Sequence, residues 1–564
     1  MDAQKTKIMK KLNYISSALL ALLLMGACEQ ELIVTTPPPP DETNKGADPC
    51  DGTAGSANFA KFIAIGNSFV AGVQGGALFT DGQNNSLPFL INKQLACAGG
   101  TTTFVQPDIK ATLGWNLFIT QPFLADNTKP ILGKLLLQYG SNVDACTKLA
   151  SPRPTPQAYA PGNLEALPNP AANPNFIWAT GTGAAQKLTL NNFGVPAIVL
   201  GQALIPQTGA WAGAGSDPRF SPFYGRLAVP GNGTSTIIGD VVAGQPTFFM
   251  FWLGLDDFFL HAAFGADPAK APLTSNAAFA GQYNAAIGTL LANTSAKGVV
   301  GNFPDIFKMP HFTSVSYRPV PLDAAMSGAL NTGYAGYNAA LGALVANKVA
   351  FGISDALASE ITSRTIAFKD TCQNKVVLVD ESLTDLGPYF DALQGAGAMS
   401  PSDRAKLTPY QRVRQSRKTD VLPLSTGSVL GTAGTFGIWG LSEPLSDQYV
   451  IVPTEQDAIT SARLSFNSAI QAAVAGSGDR LALADVDAAL SSLVSTGAAT
   501  YNGIFITPNI NPPTGIYSED GVHPNTRGYA FLANVFIQAI NGKFGATVRP
   551  INLSRYTPTG LPKP

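Results

Sequence analysis

Charged side chains are scarce in this sequence, and the two signs almost cancel. Only 13% of the 564 residues are charged, and 36 basic residues stand against 37 acidic ones, which gives a formal net charge of −1. A chain without an overall field has no general attraction for nucleic acid or for anionic lipid. The one basic cluster, RVRQSRK at 412–418, is typical of a solvated loop. We therefore expect no nucleic-acid partner.

Histidine and cysteine are also rare, with three and five residues respectively. No two cysteines form a Cys-x-x-Cys pair, so the residue pattern that usually holds zinc is missing. The glycine-rich stretch GVQGGALFTDG lacks the lysine of a phosphate-binding loop, which argues against a nucleotide site. The sequence therefore predicts neither a metal ion nor a cofactor.

Long apolar runs are missing everywhere except at the N-terminus. There, a basic segment precedes an apolar run from Tyr14 to Ala27, which is too short for a stable transmembrane helix and is typical of a signal peptide at 1–27. Gly26 and Ala27 directly before Cys28 resemble a bacterial lipobox. This resemblance implies cleavage before Cys28 and a lipid on its thiol. Ordinary secretion, with Cys28 discarded, is the alternative.

A lipid on Cys28 would anchor the protein in the cell envelope without a membrane-spanning helix. The acidic EQE after Cys28 favours the outer membrane, and the membrane face is left open. Residues 28–57, with their run of prolines, are typical of an extended tether. An exported protein permits disulfides, and four cysteines allow three pairings. The sequence does not choose among the pairings of Cys50, Cys97, Cys146 and Cys372.

Apolar strand-like runs alternate with helical stretches along the rest of the chain. This alternation indicates a parallel sheet with both faces covered by helices. The Phe251 and Trp252 side chains are expected in its core. A final helix with an apolar face from Tyr529 to Ile540 is expected to stop at Gly542. The expected strands are 61–65, 246–254, 298–303 and 479–486.

Two long stretches, at about 98–180 and 310–450, are rich in loop signals and are not needed by such a sheet. We interpret them as loop-rich insertions that cover the C-terminal edge of the sheet, the second with one helical piece. The main domain is then expected at 58–547, with a C-terminal tail at 548–564.

The stretch AKFIAIGNSFVAG places Ser68 just past the first predicted strand, at the edge where open α/β sheets bind ligands. Ser68 either opens a helix or acts as a nucleophile, and a nucleophile needs a base. The candidate base is His523 in YSEDGVHPNTRGYA, because a turn can fold Asp520 back onto its imidazole. The alternative is that His523 only shapes the start of the last helix. His261 and His311 are interpreted as structural or pocket-lining residues.

These residues resemble the SGNH (GDSL-like) hydrolase family. GNSFVAG resembles the first block of that family, FWLGLDDFF its G-x-N-D block, and DGVHPNTRGYA its last block. GGALFTDGQNNSLPFL, GVVGNFPDIFKMPHFTSV and YVIVPTEQDAI resemble a subgroup of Bacteroidetes lipoproteins. The resemblance is scattered from about 60 to 547. It implies a three-layer α/β/α sandwich with a flavodoxin-like parallel sheet, and ester hydrolysis through an acyl-serine. Ser68 would be the nucleophile, His523 the base and Asp520 the residue that orients it.

The resemblance also implies an oxyanion hole, where this chain departs from the family. The Ser68 N–H would be one donor. The expected glycine of the second block is Ala197, in NNFGVPA, whose N–H can serve if the position does not need a positive φ. The asparagine position holds Asp256, which can donate only when protonated. Asn67 stands where the family usually has aspartate, as in the lipoprotein subgroup.

Three functions follow from these observations. The leading one is an envelope-anchored serine esterase or acylhydrolase that acts on lipid esters, acetylated glycans or small carboxylic esters. The second, suggested by Ala197 and Asp256, is a catalytically weak relative that binds a glycan or a lipid. The third is an accessory lipoprotein in which the domain is only a scaffold, since a fold alone does not establish activity.

Overall fold

The apolar run at 62–66 forms a fully buried strand inside a parallel sheet. The computed structural model describes residues 50–114, 116, 132–138, 153–158, 178, 187–214, 216–227 and 234–558. The predicted signal peptide, Cys28 with its expected lipid, and most of the first predicted insertion lie outside these residues.

The strands are numbered in chain order. They are β1 Phe62–Gly66, β2 Leu132–Gln138, β3 Arg153–Ala158, β4 Asn192–Gly194, β5 Phe248–Trp252, β6 Lys297–Gly301, β7 Val320–Leu322, β8 Thr371–Asn374, β9 Val377–Val379, β10 Val413–Gln415, β11 Leu481–Ala484, β12 Ala499–Tyr501 and β13 Ile504–Ile506.

The α-helices are numbered in the same way. They are α1 Ser68–Ala71, α2 Thr80–Gln83, α3 Leu87–Ala96, α4 Pro222–Gly225, α5 Ile237–Ala243, α6 Asp256–Ala263, α7 Asn276–Asn293, α8 Pro310–Thr313, α9 Ala324–Ala346, α10 Asp355–Ser363, α11 Gly387–Gly395, α12 Pro401–Lys406, α13 Pro453–Gly476, α14 Val486–Thr496 and α15 Thr526–Phe544.

The central sheet has five parallel strands in the spatial order β11-β6-β5-β1-β4. Numbered by their appearance along the chain, these strands read 2-1-3-4-5 from the β4 edge. Four of them confirm the predicted strands, with boundaries shifted by one or two residues. The fifth, β4, is only three residues long and was not predicted as a strand.

Helices cover both faces of this sheet. Phe251 and Trp252 are neighbours on β5, so their side chains point to opposite faces. The Phe251 ring lies 5.4 Å from the Tyr283 ring of α7, and the Trp252 ring lies 5.6 Å from the Phe536 ring of α15, measured between centroids. The two helices therefore lie on opposite sides of the sheet, as a three-layer α/β/α arrangement requires. Both β5 side chains are core residues, as expected.

The predicted insertion at 310–450 holds much more regular structure than the one helical piece that was expected, which corrects that expectation. It contains α9 to α12, two antiparallel strand pairs and its own cluster of buried apolar side chains. Tyr334, Tyr337, Leu341 and Leu344 of α9 are buried there, at the spacing of one helix face. This region therefore forms a second apolar core, which we call the second core.

The structure also corrects the predicted end of the last helix and the predicted tether and tail at the two ends of the main domain. The last helix passes Gly542 and ends at Phe544, where Gly545 takes the left-handed conformation with φ +62°. Residues 51–56 are not part of a free tether, because they pair with 544–549: Thr53 O accepts the Thr547 N–H at 2.9 Å, and Ser56 donates to Phe544 O at 2.8 Å. The described part of the C-terminal tail is packed rather than free, since Val548, Ile551 and Leu553 are buried.

One of the open disulfide pairings is settled, because Cys50 is bonded to Cys97. This bond ties the start of the described chain to the end of α3. Cys372 is also disulfide-bonded, and Cys146 lies outside the described residues. Among the helices of the described residues, none is both long and apolar enough to cross a membrane.

Candidate active site

Ser68 is the first residue of α1 and comes two residues after Gly66, the carboxyl end of β1. The cap of this short helix is Asn67, whose side-chain oxygen accepts a hydrogen bond from the Phe69 N–H at 3.2 Å. Ser68 is therefore not the capping residue, and its hydroxyl can serve another partner.

A tight turn ahead of α15 carries the predicted base. Asp520 Oδ1 accepts the backbone N–H groups of Val522 and His523, each at 2.8 Å. Asp520 Oδ2 lies 2.7 Å from His523 Nδ1. Because a carboxylate only accepts, the neutral imidazole carries its proton on Nδ1 and keeps a lone pair on Nε2. The turn thus fixes both the orientation and the tautomer of His523.

His523 Nε2 lies 2.8 Å from Ser68 Oγ, although the two residues are 455 positions apart in the chain. The three side chains are almost fully buried, with 5% of Ser68, 3% of Asp520 and 1% of His523 exposed. The Phe69 ring covers the imidazole at a centroid distance of 4.9 Å. Hydroxyl, imidazole and carboxylate therefore form one hydrogen-bonded chain, the arrangement that activates a serine hydroxyl.

Asp520 is held in its ionised form. Burial alone would raise the pKa of this carboxyl, but the charge and hydrogen bond of His523 and the backbone N–H groups of Val522 and His523 outweigh burial and hold the pKa below its usual value. A fixed negative charge beside Nδ1 stabilises the imidazolium that forms when His523 takes a proton.

The glycine-rich loop after α1 has a role that the sequence analysis missed. Gly76 donates its N–H to Asp520 Oδ2 at 2.6 Å, and Gly75 donates to Ser518 Oγ at 2.9 Å. Both glycines have positive φ, at +56° for Gly75 and +75° for Gly76, which side-chain-bearing residues rarely adopt. The paired glycines were a visible signal, but their partners lie more than 440 positions away.

The three positions expected to form an oxyanion hole follow neighbouring strands. Gly66 of β1 pairs in register with Gly194 of β4 and Trp252 of β5. Ser68, Ala197 and Asp256 come two to four residues after these ends, so all three lie at the same edge of the sheet. From β1 the chain adds β4 on one side and then β5 on the other, so the strand order reverses between β1 and β5. Open α/β sheets bind ligands at such a point.

Ala197 adopts the left-handed backbone conformation, which glycine adopts more easily than alanine. The condition that this position does not need a positive φ is therefore not met. Its φ is +54°, and its side chain is exposed. Its N–H donates to none of the residues that the structure describes, so this group is available to a ligand. Alanine at this φ carries a strain of about 1–2 kcal/mol that glycine would not.

Asp256 is the first residue of α6 and is 3% exposed. Burial raises the pKa of Asp256 to about 8, the Asn67 amide partly offsets this, and the neighbouring Asp257 adds to it. Asn67 lies close to the carboxyl, yet neither Asn67 Nδ2 nor Asp256 Oδ2 completes a hydrogen bond of good geometry with a described residue. At neutral pH, Asp256 is therefore mainly a neutral acid with an O–H to donate.

The other two histidines are both buried and both bond to backbone carbonyls. His261 Nδ1 lies 2.7 Å from Ala271 O, and His311 Nδ1 lies 3.0 Å from Asp520 O. His261 therefore fits the structural role that was expected. His311 does more than line the site, because its partner belongs to the turn that carries His523.

Among the described residues, a separate group of carboxylates is not part of the hydrogen bonds that link Ser68, His523 and Asp520. Oxygens of Glu381, Asp447 and Glu455 come within 4.8 Å of one another. Acidic clusters of this kind, partly exposed, occur without any metal ion. We therefore assign no metal to it.

The site consists, in short, of residues from both ends of the chain that meet at one sheet edge. No family model, no curated protein and no solved structure matches this chain.

Proposed function

We propose that this protein is a serine ester hydrolase that works through an acyl-serine intermediate. The observation that carries the proposal is the hydrogen-bonded chain from Ser68 Oγ to His523 Nε2, at 2.8 Å, and from His523 Nδ1 to Asp520 Oδ2, at 2.7 Å. A helix cap needs no such partners, whereas a serine nucleophile needs both.

The reaction proceeds by two acyl transfers. Ser68 Oγ attacks the ester carbonyl while His523 Nε2 takes the hydroxyl proton, and the imidazolium then gives this proton to the leaving alcohol. Water attacks the acyl-serine with His523 again as the base, which releases the carboxylic acid and restores Ser68. Asp520 remains ionised throughout and stabilises the imidazolium.

The negative charge on the carbonyl oxygen would be met by three donors. These are the N–H groups of Ser68 and Ala197 and the O–H of protonated Asp256. Removal of one such donor costs roughly 3–4 kcal/mol in known cases. The hole therefore depends on the protonation of Asp256, and this makes the activity sensitive to alkaline pH.

The family assignment is part of the proposal. The strand order 2-1-3-4-5 is that of flavodoxin-like sheets, which is the order that resemblance to the SGNH hydrolases implies. The positions of Ser68, Asp520 and His523 support the same assignment. A lipid on Cys28 would hold the enzyme at the cell envelope, with lipid esters, acetylated glycans or small carboxylic esters as substrate classes.

The test is hydrolysis of p-nitrophenyl acetate and butyrate by the wild type and by Ser68→Ala. Ser275→Ala is the matched control, because Ser275 is a true helix cap that accepts the Ala278 N–H at 3.3 Å. The proposal predicts that turnover vanishes in Ser68→Ala and persists in Ser275→Ala. Equal rates in all three proteins would contradict it.

A binding protein without turnover is the second candidate, and the strained Ala197 together with the carboxyl of Asp256 favours it. It predicts background hydrolysis in the wild type and retention of a glycan or lipid ligand by Ser68→Ala. The same three proteins therefore separate the two functions.

A further inference from the structure

His311 makes two hydrogen bonds to the turn that carries the candidate base. Its Nδ1 lies 3.0 Å from the carbonyl oxygen of Asp520, and its backbone N–H donates to the carbonyl oxygen of Gly521 at 2.9 Å. Because a carbonyl only accepts, Nδ1 of His311 carries the hydrogen. His311 thus donates to two successive carbonyl groups, those of Asp520 and Gly521, in the turn that leads to His523.

The contact between His311 and the turn is close along its backbone. Gly521 has φ +71°, and a Cβ at this position would lie 2.6 Å from His311 N and 3.0 Å from His311 Cα. Such a distance is shorter than any that a side chain tolerates, so the approach depends on glycine. The turn is therefore shaped to receive the helix that carries His311.

The environment of His311 favours a neutral ring. Its side chain is 7% exposed and lies against the Phe259 and Phe312 rings. Burial lowers the pKa of His311, although the Asp520 carbonyl and charge oppose this, and the nearby His523 lowers it further. A neutral ring donates to the turn without placing a second positive charge beside the imidazolium of His523.

His311 also connects the turn to the second core. It lies on α8, and Val315, shortly after that helix, pairs with Leu422 in an antiparallel bridge. Leu422 belongs to the apolar cluster of the second core. A continuous path therefore runs from this region through α8 to the turn.

We propose that His311 is a positioning residue, which holds the Asp520–His523 turn so that the imidazole stays aligned with Ser68. This proposal rests on the proposed function for its effect on catalysis, but the effect on the ring of His523 does not depend on it. Loss of the hydrogen bond from His311 Nδ1 to the turn would weaken the hydrogen bond between Asp520 and His523 Nδ1. A displacement of about 1 Å in such a site can cost about 100-fold in rate.

The test compares His311→Leu and His311→Asn with the wild type. Asparagine places an N–H close to where Nδ1 lies, whereas leucine fills the space without a donor. His261→Leu is the matched control, because it removes a buried histidine that also bonds a backbone carbonyl but does not touch the turn. Each protein is labelled with ¹⁵N-histidine, and the chain has only three histidines to assign.

We expect His523 to be a pure Nδ1–H tautomer in the wild type, in His311→Asn and in His261→Leu, and a mixture of tautomers in His311→Leu. Turnover of p-nitrophenyl acetate should fall about 100-fold in kcat for His311→Leu, with KM little changed. An unchanged tautomer and unchanged kcat in folded His311→Leu would overturn the proposal. If that variant does not fold, His311→Asn decides: a wild-type tautomer supports the proposal, and a mixture contradicts it.

The two proposals fail in different ways. Absence of any esterase turnover in the wild type overturns the proposed function, while the tautomer of His523 in the variants still tests the role of His311. Esterase activity in the wild type, with a kcat and a His523 tautomer that His311→Leu leaves unchanged, overturns the positioning role alone.

Discussion

The side of the site that holds the candidate base and the side expected to form the oxyanion hole differ in how completely their polar groups are hydrogen-bonded. On the base side, every polar atom of the Asp520 carboxylate has a donor: two backbone N–H groups of the turn, the Gly76 N–H and His523 Nδ1. On the oxyanion side, Ala197 sits at φ +54° and Asp256 Oδ2 has no partner among the described residues. Unused donors are what an oxyanion hole must offer to a substrate. The base side is therefore preorganised by the protein, whereas the candidate oxyanion side depends on strain and on one proton.

Asp520→Asn should have the largest effect on kcat, because it disrupts the hydrogen bonds that preorganise the base side. An amide cannot accept from His523 Nδ1 and the backbone donors as the carboxylate does, and the wrong tautomer of His523 is then favoured. We expect kcat to fall by about 10⁴-fold, as in other triads. Steady-state kinetics measures this fall, and circular dichroism checks that the variant is folded. A folded Asp520→Asn protein with near-wild-type kcat would show that the two sides do not differ as described.

Substitution of Asp256 tests the oxyanion side. The wild-type kcat/KM should fall as pH rises past about 8, where Asp256 ionises, because the carboxylate no longer donates and repels the oxyanion. Asp256→Asn keeps a donor at all pH values, so this alkaline fall should disappear. Asp256→Leu removes the donor and should lower kcat about 10²- to 10³-fold at pH 7. If the Asn and Leu variants have the same rates, Asp256 is not the donor.

The same carboxyl makes a prediction about stability that does not need activity. Burial raises the pKa of Asp256 from 3.8 to about 8, so the folded protein holds a proton that the unfolded chain releases above about pH 4. The contribution of Asp256 to the free energy of unfolding is fully present below about pH 4 and is lost as the pH rises towards 8. Relative to wild type, Asp256→Asn should gain about 1.4 kcal/mol for each pH unit in this window. Denaturant unfolding at pH 5 and pH 8 measures the gain, and a constant difference would contradict the burial of an ionisable Asp256.

Ala197→Gly should have the smallest effect. Glycine adopts positive φ without strain, and the relief of about 1 kcal/mol is partly offset by the greater freedom of glycine in the unfolded chain. We expect a small rise in stability and an unchanged or slightly higher kcat, since the N–H remains. Urea unfolding and steady-state kinetics measure both. A clear loss of stability would show that the left-handed conformation is not a strain on this side of the site.

The candidate catalytic residues could be picked out because each lies in a short motif with a local reason for its form. Ser68 follows a buried strand, and Asp520 stands three residues before His523, a spacing that a turn alone can close. The loop at Gly75 and Gly76 could not be assigned, since its function exists only through contacts with Ser518 and Asp520 at the far end of the chain.

The fold shows the same limit. Long apolar strands such as β5 were visible in the sequence, whereas β4 spans only Asn192–Gly194 and is a strand because β1 lies beside it. The helix α9 is rich in alanine and glycine, so its apolar face is sparse, and only burial of its tyrosines and leucines reveals the second core. Local patterns predicted the elements that carry their own signal and missed those that depend on distant partners.

The most direct test of Ser68 as the nucleophile is to find where an acyl group is attached during turnover. The protein is mixed with p-nitrophenyl butyrate, quenched in acid within the first turnovers, digested and mapped by mass spectrometry. We expect a butyryl group on Ser68 in the wild type, and none on the same peptide in Ser68→Ala. A butyryl group on another residue, or turnover without any acyl-protein, would contradict the assignment of Ser68 as the nucleophile.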